Sequence, residues 1–138
     1  MPAKDIYHEN MKKALIKDEW TVTHEQMHLK WGAKDMYVDL GAEKLMAAEK
    51  KGRKICVEVK SFLGHSEMNE LEKAVGQYIV YHDVLKKTDP DRELWLAVPE
   101  EIFADLFEEP IGKLLLDNDR FRLIVFDPLK EVILKWIT

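Results

Sequence analysis

Glu58 and Lys60 stand two residues apart in the short apolar segment "ICVEVKSF", residues 55–62. If this segment is a β-strand, its side chains alternate between two faces, and Glu58 and Lys60 share one face at a spacing of about 7 Å. A carboxylate in that position can hold a divalent cation, and an ammonium group beside it can neutralise a phosphate. Cys56 and Phe62 fall on the same face. We therefore expect this face to be covered, so that Glu58 needs either an ion-pair partner or a metal.

A hydrolytic metal site needs a second carboxylate beside Glu58, because hard cations are bound by several oxygen ligands. The preceding segment "MYVDLGAEKLMAA", residues 36–48, carries Asp39 and Glu43 on one face. If "EKKG", residues 49–52, is the loop of a β-hairpin, Glu43 falls opposite Glu58. Asp39 reaches Glu58 only if a bulge or a longer loop shifts the pairing by four residues. Both carboxylates remain candidates at this point.

Three further residues have types and positions that suit the same site. Glu9 lies in an amphipathic helical pattern, from which a carboxylate could extend toward the strands. Gln77 and Tyr81 are four residues apart in a later helical pattern and therefore share a helix face. Taken singly, a solvated charge explains Glu9 and helix-to-sheet packing explains the other two. Their occurrence together with Glu58 and Lys60 favours a nuclease-type site.

The segment "HEQMH", residues 24–28, raises a rival possibility because it spells the H-E-x-x-H motif of zinc proteases. That motif requires a helix, which places both histidines on one face. Here the preceding "WTVT" alternates like a strand, and Gly32 follows four residues after His28. We therefore predict a surface turn in which His24 and His28 bind no metal.

The hydrophobic pattern predicts the elements that must position these residues. A helix in "AKDIYHENMKKALIKDEW" and a short strand in "WTVTHE" come before the hairpin. Ser66 can then cap a long helix with acidic residues in its first turn. "ELWLAVP" reads as a buried strand, residues 100–117 as one or two short helices, and "RLIVFDPLKEVILKWI" as two strands. The order predicts one α/β domain, residues 1–138, with a mixed sheet of about five or six strands flanked by helices.

Composition and charge limit the classes of function. The 138 residues carry a formal net charge of −5, with the acidic excess toward the C-terminal end. Basic residues gather around the site segment: Lys44, Lys50, Lys51, Arg53, Lys54 and Lys60. Such an uneven field could place a phosphate on one side of the molecule. The sequence has no membrane-length apolar run and no signal-peptide pattern, so we expect a cytoplasmic protein that does not enter a membrane. Cys56 is the single cysteine, which excludes an internal disulfide.

In its longer motifs the sequence resembles the XisH family, the fdxN element excision controlling factors. The blocks that carry the resemblance are "GAEKLMAAEKKGRKICVEVKSF", "AVGQYIVYHDVL" and "LWLAVP". That family is similar to restriction-endonuclease-like proteins of the PD-(D/E)xK type. The resemblance implies a restriction-endonuclease-like fold and a nuclease site dependent on Mg²⁺ or Mn²⁺. It also implies action on DNA together with a site-specific recombinase and a partner protein, XisI.

The resemblance implies roles for single residues as well. Glu9 matches the helix-one glutamate of related nucleases, and Asp39 matches the motif aspartate, although Val38 rather than proline precedes it. The implied catalytic residues are Asp39, Glu58, Lys60, Gln77 and Tyr81. With Glu43 kept as the alternative from strand pairing, the candidate metal ligands are Glu9, Asp39, Glu43 and Glu58.

Three functions from different classes follow from these observations. The first is a Mg²⁺-dependent DNA endonuclease that uses Asp39 or Glu43 with Glu58 and Lys60. The second is a non-cleaving accessory protein that keeps the fold in order to bind DNA or a partner. The third and most distant is a zinc hydrolase at residues 24–28. The sequence leaves a homodimer open.

Overall fold

The computed structural model describes residues 4–46, 51–64 and 66–138 of the chain. Its helices are α1 (His8–Lys17), α2 (Glu67–Thr88), α3 (Glu100–Ile102) and α4 (Pro110–Asp117), with a π-helical turn at Phe103–Phe107. Its strands are β1 (Thr21–His24), β2 (Met27–Trp31), β3 (Lys34–Val38), β4 (Leu40–Met46), β5 (Lys51–Val59), β6 (Arg92–Pro99), β7 (Leu123–Asp127) and β8 (Val132–Ile137). Within the described ranges, no helix is both long and apolar enough to cross a bilayer.

Six strands form one mixed sheet in the order β1-β4-β5-β6-β7-β8, and β2 and β3 form a separate two-stranded sheet. The central strands β5, β6 and β7 are parallel. The outer pairs β1–β4, β4–β5 and β7–β8 are antiparallel. The predicted mixed sheet of five or six strands with flanking helices is confirmed.

Helices cover both faces of this sheet. On one face, α2 and the π-helical turn pack in a cluster with Cys56 and Phe62. On the opposite face, α1 packs against Ile55, Val57 and Val59. The alternation of β5 therefore divides its side chains as predicted, and the face that carries Cys56 is covered.

The long helix α2 begins where the sequence predicts, directly after Ser66. The Ser66 hydroxyl accepts a hydrogen bond from the backbone N–H of Asn69 at 3.3 Å, and acidic residues occupy the first turn. Two lysines occupy the last turn, next to the negative end of the helix dipole. Its buried residues Leu71, Ala74, Tyr78 and Tyr81 set which side of α2 faces the sheet.

The pairing of β4 with β5 differs from the four-residue hairpin loop predicted at residues 49–52. Met46 pairs with Lys51, so Gly52 lies within β5, and residues 47–50 lie outside the described residues. Leu40 pairs with Val57, and Glu43 pairs with Lys54. The predicted pairing of Glu43 with Glu58 is therefore wrong. The observed register sets Leu40 and Ala42 opposite apolar residues and Glu43 opposite Lys54, which are favourable cross-strand pairs.

The surface turn predicted at residues 24–28 is shorter in the structure: it spans residues 25–26, and a second hairpin, β2–β3, follows it. Met27 pairs with Val38, and Trp31 pairs with Lys34. Gly32 supplies the positive φ of 60° that the two-residue connection needs. The alternation of the apolar residues Met27, Leu29 and Trp31 is the sequence pattern that indicates strand β2.

Gly112, a buried glycine in α4, gives a direct test of how α4 packs against the π-helical turn. A Cβ atom on Gly112 would lie 2.3 Å from the carbonyl oxygen of Leu106 and 2.4 Å from the Cα of Phe107. Both contacts are with backbone, which cannot move aside, so we expect Gly112→Ala to lower the free energy of unfolding by about 3 kcal/mol. Gly76, within α2, is the matched control because nothing lies within 4 Å of its Cβ position. Urea denaturation should show Gly76→Ala to be stabilising, by about 0.5–1 kcal/mol. Similar effects of both substitutions would contradict this packing.

Candidate functional site

The observed register brings Asp39 and Glu58 together. Asp39 occupies the bend between β3 and β4, one residue before the pair that Leu40 forms with Val57. Its backbone N–H donates to Oε1 of Glu58 at 3.3 Å. In return, its Oδ2 accepts a hydrogen bond from the backbone N–H of Val59 at 2.7 Å. Two carboxylates from neighbouring strands are thus held by the backbone itself and need no flexible partner.

Lys60 completes a charged group at the end of β5. Its backbone N–H donates to the carbonyl oxygen of Ala97 at 3.0 Å, which ties this end of the strand to β6. Its Nζ lies 3.5 Å from Oε2 of Glu58. The Glu-x-Lys spacing therefore places a carboxylate and an ammonium side by side, as predicted.

Burial controls the protonation of the two carboxylates. Glu58 is only 9% exposed, and this burial raises its pKa to about 8, with the nearby Asp39 adding to the rise and Lys60 opposing it. Burial also raises the pKa of Asp39. At neutral pH the pair therefore holds a proton, and that proton must leave when a cation binds both oxygens.

Gln77 and Tyr81 of α2 face the same cavity. The cavity has a volume of about 560 Å³. Its lining is Lys4, Asp5, Asp35, Met36, Tyr37, Asp39, Glu58, Val59, Lys60, Gln77 and Tyr81. Oε1 of Gln77 is buried and has no hydrogen-bond partner among the described residues. Burial, with a contribution from Glu58, raises the pKa of Tyr81 to about 12, so its hydroxyl stays a hydrogen-bond donor. The lining brings Glu58, Lys60 and Asp39 together, and Gln77 and Tyr81 face them from α2.

The structure does not bring Glu9 or Glu43 into this cavity. The Glu9 side chain is 56% exposed, and its Oε1 lies 3.7 Å from Nζ of Lys4. It lies on α1, which packs on the sheet face opposite to that of Cys56 and Glu58. Glu43 lies in the middle of β4, opposite Lys54, and its Oε1 is 3.7 Å from Nη2 of Arg92. Of the four predicted metal ligands, only Asp39 and Glu58 lie together.

Comparison with known proteins shows the family of this chain. The family model described as XisH protein matches residues 1–134. The chain belongs to the XisH family. An XisH family protein from Nostoc punctiforme superposes with a TM-score of 0.87 at 33% identity, covering 97% of this chain and 100% of that one. A fdxN element excision controlling factor protein from Anabaena variabilis gives 0.88 at 36% identity, covering 98% and 100%. Comparison with functionally curated proteins gives no significant match.

In this XisH chain the site also contains residues that sequence reasoning missed. Oδ2 of Asp5 accepts hydrogen bonds from the backbone N–H of Ser61 at 3.0 Å and from its hydroxyl at 2.9 Å. This contact fastens the segment before α1 to the residue after Lys60. No local pattern signals it, because the two residues are far apart in sequence. Tyr37, by contrast, could have been found, since it shares the strand alternation of Asp39.

The histidines of "HEQMH" lie in strands of the XisH fold, so the predicted absence of a helix there is confirmed. His24 ends β1 and His28 lies in β2. Nδ1 of His24 is 2.8 Å from the Thr23 hydroxyl, whereas Nε2 of His28 is 2.7 Å from Oδ1 of Asp35. The two rings therefore have different partners, and the helical geometry that a zinc-protease motif needs is missing.

Proposed function

We propose that this chain is a divalent-cation-dependent nuclease of the PD-(D/E)xK type that acts on DNA during excision of a genomic element. One observation carries the proposal. Asp39 and Glu58, on neighbouring strands, are held together by backbone hydrogen bonds, and Lys60 lies 3.5 Å from Glu58 within the same cavity. A simple buried ion pair needs one carboxylate, whereas this cavity holds a second one that raises the pKa of the first.

The donor set fits Mg²⁺ or Mn²⁺. These cations prefer oxygen ligands, and the cavity offers two carboxylates together with the buried, unpartnered Oε1 of Gln77. A cation held by Asp39 and Glu58 would supply Lewis-acid activation of a phosphodiester and of the attacking water. A buried amide oxygen without a partner is unfavourable for folding alone, and a bound ligand or its water would satisfy it.

The remaining residues have roles that follow from their charge. The Lys60 ammonium neutralises negative charge that develops on the phosphate, and it lies near enough to orient the attacking water. The Tyr81 hydroxyl, kept protonated by its raised pKa, can donate to a phosphate oxygen. Asp5 positions the chain after Lys60 by accepting two hydrogen bonds from Ser61.

Two partner classes belong to this proposal. The Anabaena variabilis relative is described as an excision controlling factor. From the resemblance of its sequence to the XisH family, we infer that the chain works with a site-specific recombinase and an XisI-like protein. The same description favours a second candidate, a non-cleaving accessory protein that binds DNA or XisI through this fold.

A cleavage assay separates the two candidates. The purified chain, with and without an XisI-like partner, should nick or cut supercoiled DNA in Mg²⁺ or Mn²⁺ and not in a chelator. The rate should rise as the pH increases toward about 8, because Glu58 must lose its proton before the cation binds. If the chain binds DNA or XisI but cleaves no DNA in either cation, the nuclease proposal is wrong and the accessory function is favoured.

A further inference from the structure

A second group of possible ligands lies where α1 begins. His8 and Glu9 are the first residues of α1, and Glu25 occupies the turn between β1 and β2. One ligand atom from each of the three lies within 4.8 Å of the others. His8 is 1% exposed, yet neither ring nitrogen has a hydrogen-bond partner in the part of the chain that the structure describes. A buried imidazole with no partner is unfavourable unless something outside the chain satisfies it.

We propose that His8, Glu9 and Glu25 bind a divalent transition metal of the Zn²⁺ class. One imidazole nitrogen and two carboxylate oxygens make a three-ligand set that suits zinc and leaves a position for solvent. The imidazole argues against Mg²⁺, which prefers oxygen ligands alone. The metal would tie the start of α1 to the β1–β2 turn, which the ion pair between Lys12 and Glu25 also connects to α1.

Two lysines compete for the same carboxylates. Nζ of Lys12 contacts Oε1 of Glu25, and Nζ of Lys4 lies 3.7 Å from Oε1 of Glu9. Pairs of this kind at the surface are weak, so a metal can displace them. Lys12 therefore acts as a competitor that sets the affinity without abolishing it.

This site does not overlap the lining of the Asp39–Glu58 cavity, although His8 lies close enough to Asp39 to oppose the rise in its pKa. His8, Glu9 and Glu25 are not among the residues that line that cavity. Glu25 also belongs to the "HEQMH" segment, but neighbouring His24 and His28 have contacts with Thr23 and Asp35 instead. Glu25 therefore lies near His8, a histidine outside the "HEQMH" segment.

Isothermal titration of the chelator-treated chain with Zn²⁺, in excess Mg²⁺ to occupy the other site, tests the proposal. We expect one equivalent of Zn²⁺ to bind and to raise the thermal midpoint. Glu25→Gln should weaken this binding at least about tenfold. Lys12→Met should strengthen it by removing the competitor. His8→Gln should weaken it too, but Glu25 lies on the surface, so its substitution tests the site without disturbing the core.

His24→Gln is the matched control and should leave the Zn²⁺ affinity unchanged. Unchanged affinity in Glu25→Gln, or loss of binding in His24→Gln, would overturn the proposal. Loss of binding in Asp39→Asn would also overturn it, because the metal would then lie in the Asp39–Glu58 cavity. None of these readouts depends on cleavage, so the site can fail while the nuclease proposal stands, and the reverse.

Discussion

Lys60→Ala should lower Mg²⁺-dependent DNA cleavage at least about 100-fold, the effect typical of removing one group that stabilises developing charge. The ammonium of Lys60 lies 3.5 Å from Oε2 of Glu58 and lines the cavity that also holds Asp39. Its loss removes the positive charge beside the phosphate. It also raises the pKa of Glu58 further, because Lys60 is the cation that opposes that rise. Both effects lower the expected cleavage rate.

The controls separate chemistry from folding. Lys60→Arg keeps a positive charge in the cavity and should retain more activity than Lys60→Ala. Lys54→Ala removes another lysine of β5, whose Nζ lies 2.7 Å from Oδ1 of Asp89, away from the cavity. Cleavage rates measured with equal amounts of folded protein, checked by circular dichroism, should leave Lys54→Ala active. Equal losses in the Lys54 and Lys60 variants would show that the cavity is not the site of reaction.

The sequence predicts the faces of β5 well, because alternation along a strand is a local property. Cys56 and Glu58 had to share a face, and an apolar neighbour on that face implied a cover, which α2 provides. Register is different. A shift of four residues keeps every side chain on its face, so the pattern could not choose between Asp39 and Glu43 as the partner of Glu58. The deciding feature is the pairing of Leu40 with Val57, which is a contact between strands.

The position of Glu9 shows a second limit. The helical period places Glu9 on the exposed side of α1, but it does not say which face of the sheet α1 covers. α1 packs on Ile55 and Val57, whereas Glu58 lies on the other face. The Glu9 carboxylate therefore lies near His8 and Glu25, and only the fold brings these three residues together. Gln77 and Tyr81 do lie in the cavity with Glu58, because α2 covers the face on which Glu58 lies.

Glu58→Gln should stabilise the protein when no divalent cation is present. The pKa of Glu58 is about 8 in the folded protein and 4.5 as the ordinary value that the unfolded chain keeps. Below pH 4.5 the carboxyl group is protonated in both states. Above it, the unfolded chain loses the proton while the folded protein retains it, so stability falls until the pH passes about 8. An amide cannot ionise, and its oxygen can still accept from the N–H of Asp39.

We therefore expect Glu58→Gln to raise the free energy of unfolding at pH 8 by about 2–4 kcal/mol and to change it little near pH 4. Chemical denaturation at the two pH values measures this difference, with Glu43→Gln as the exposed control. Adding Mg²⁺ or Mn²⁺ should reverse the order, because the cation stabilises the wild-type protein and not the variant. A buried ion pair with no role in metal binding gives the opposite result. The substitution would then leave Lys60 without its partner, destabilise the protein at pH 8, and make no difference to the response to cation.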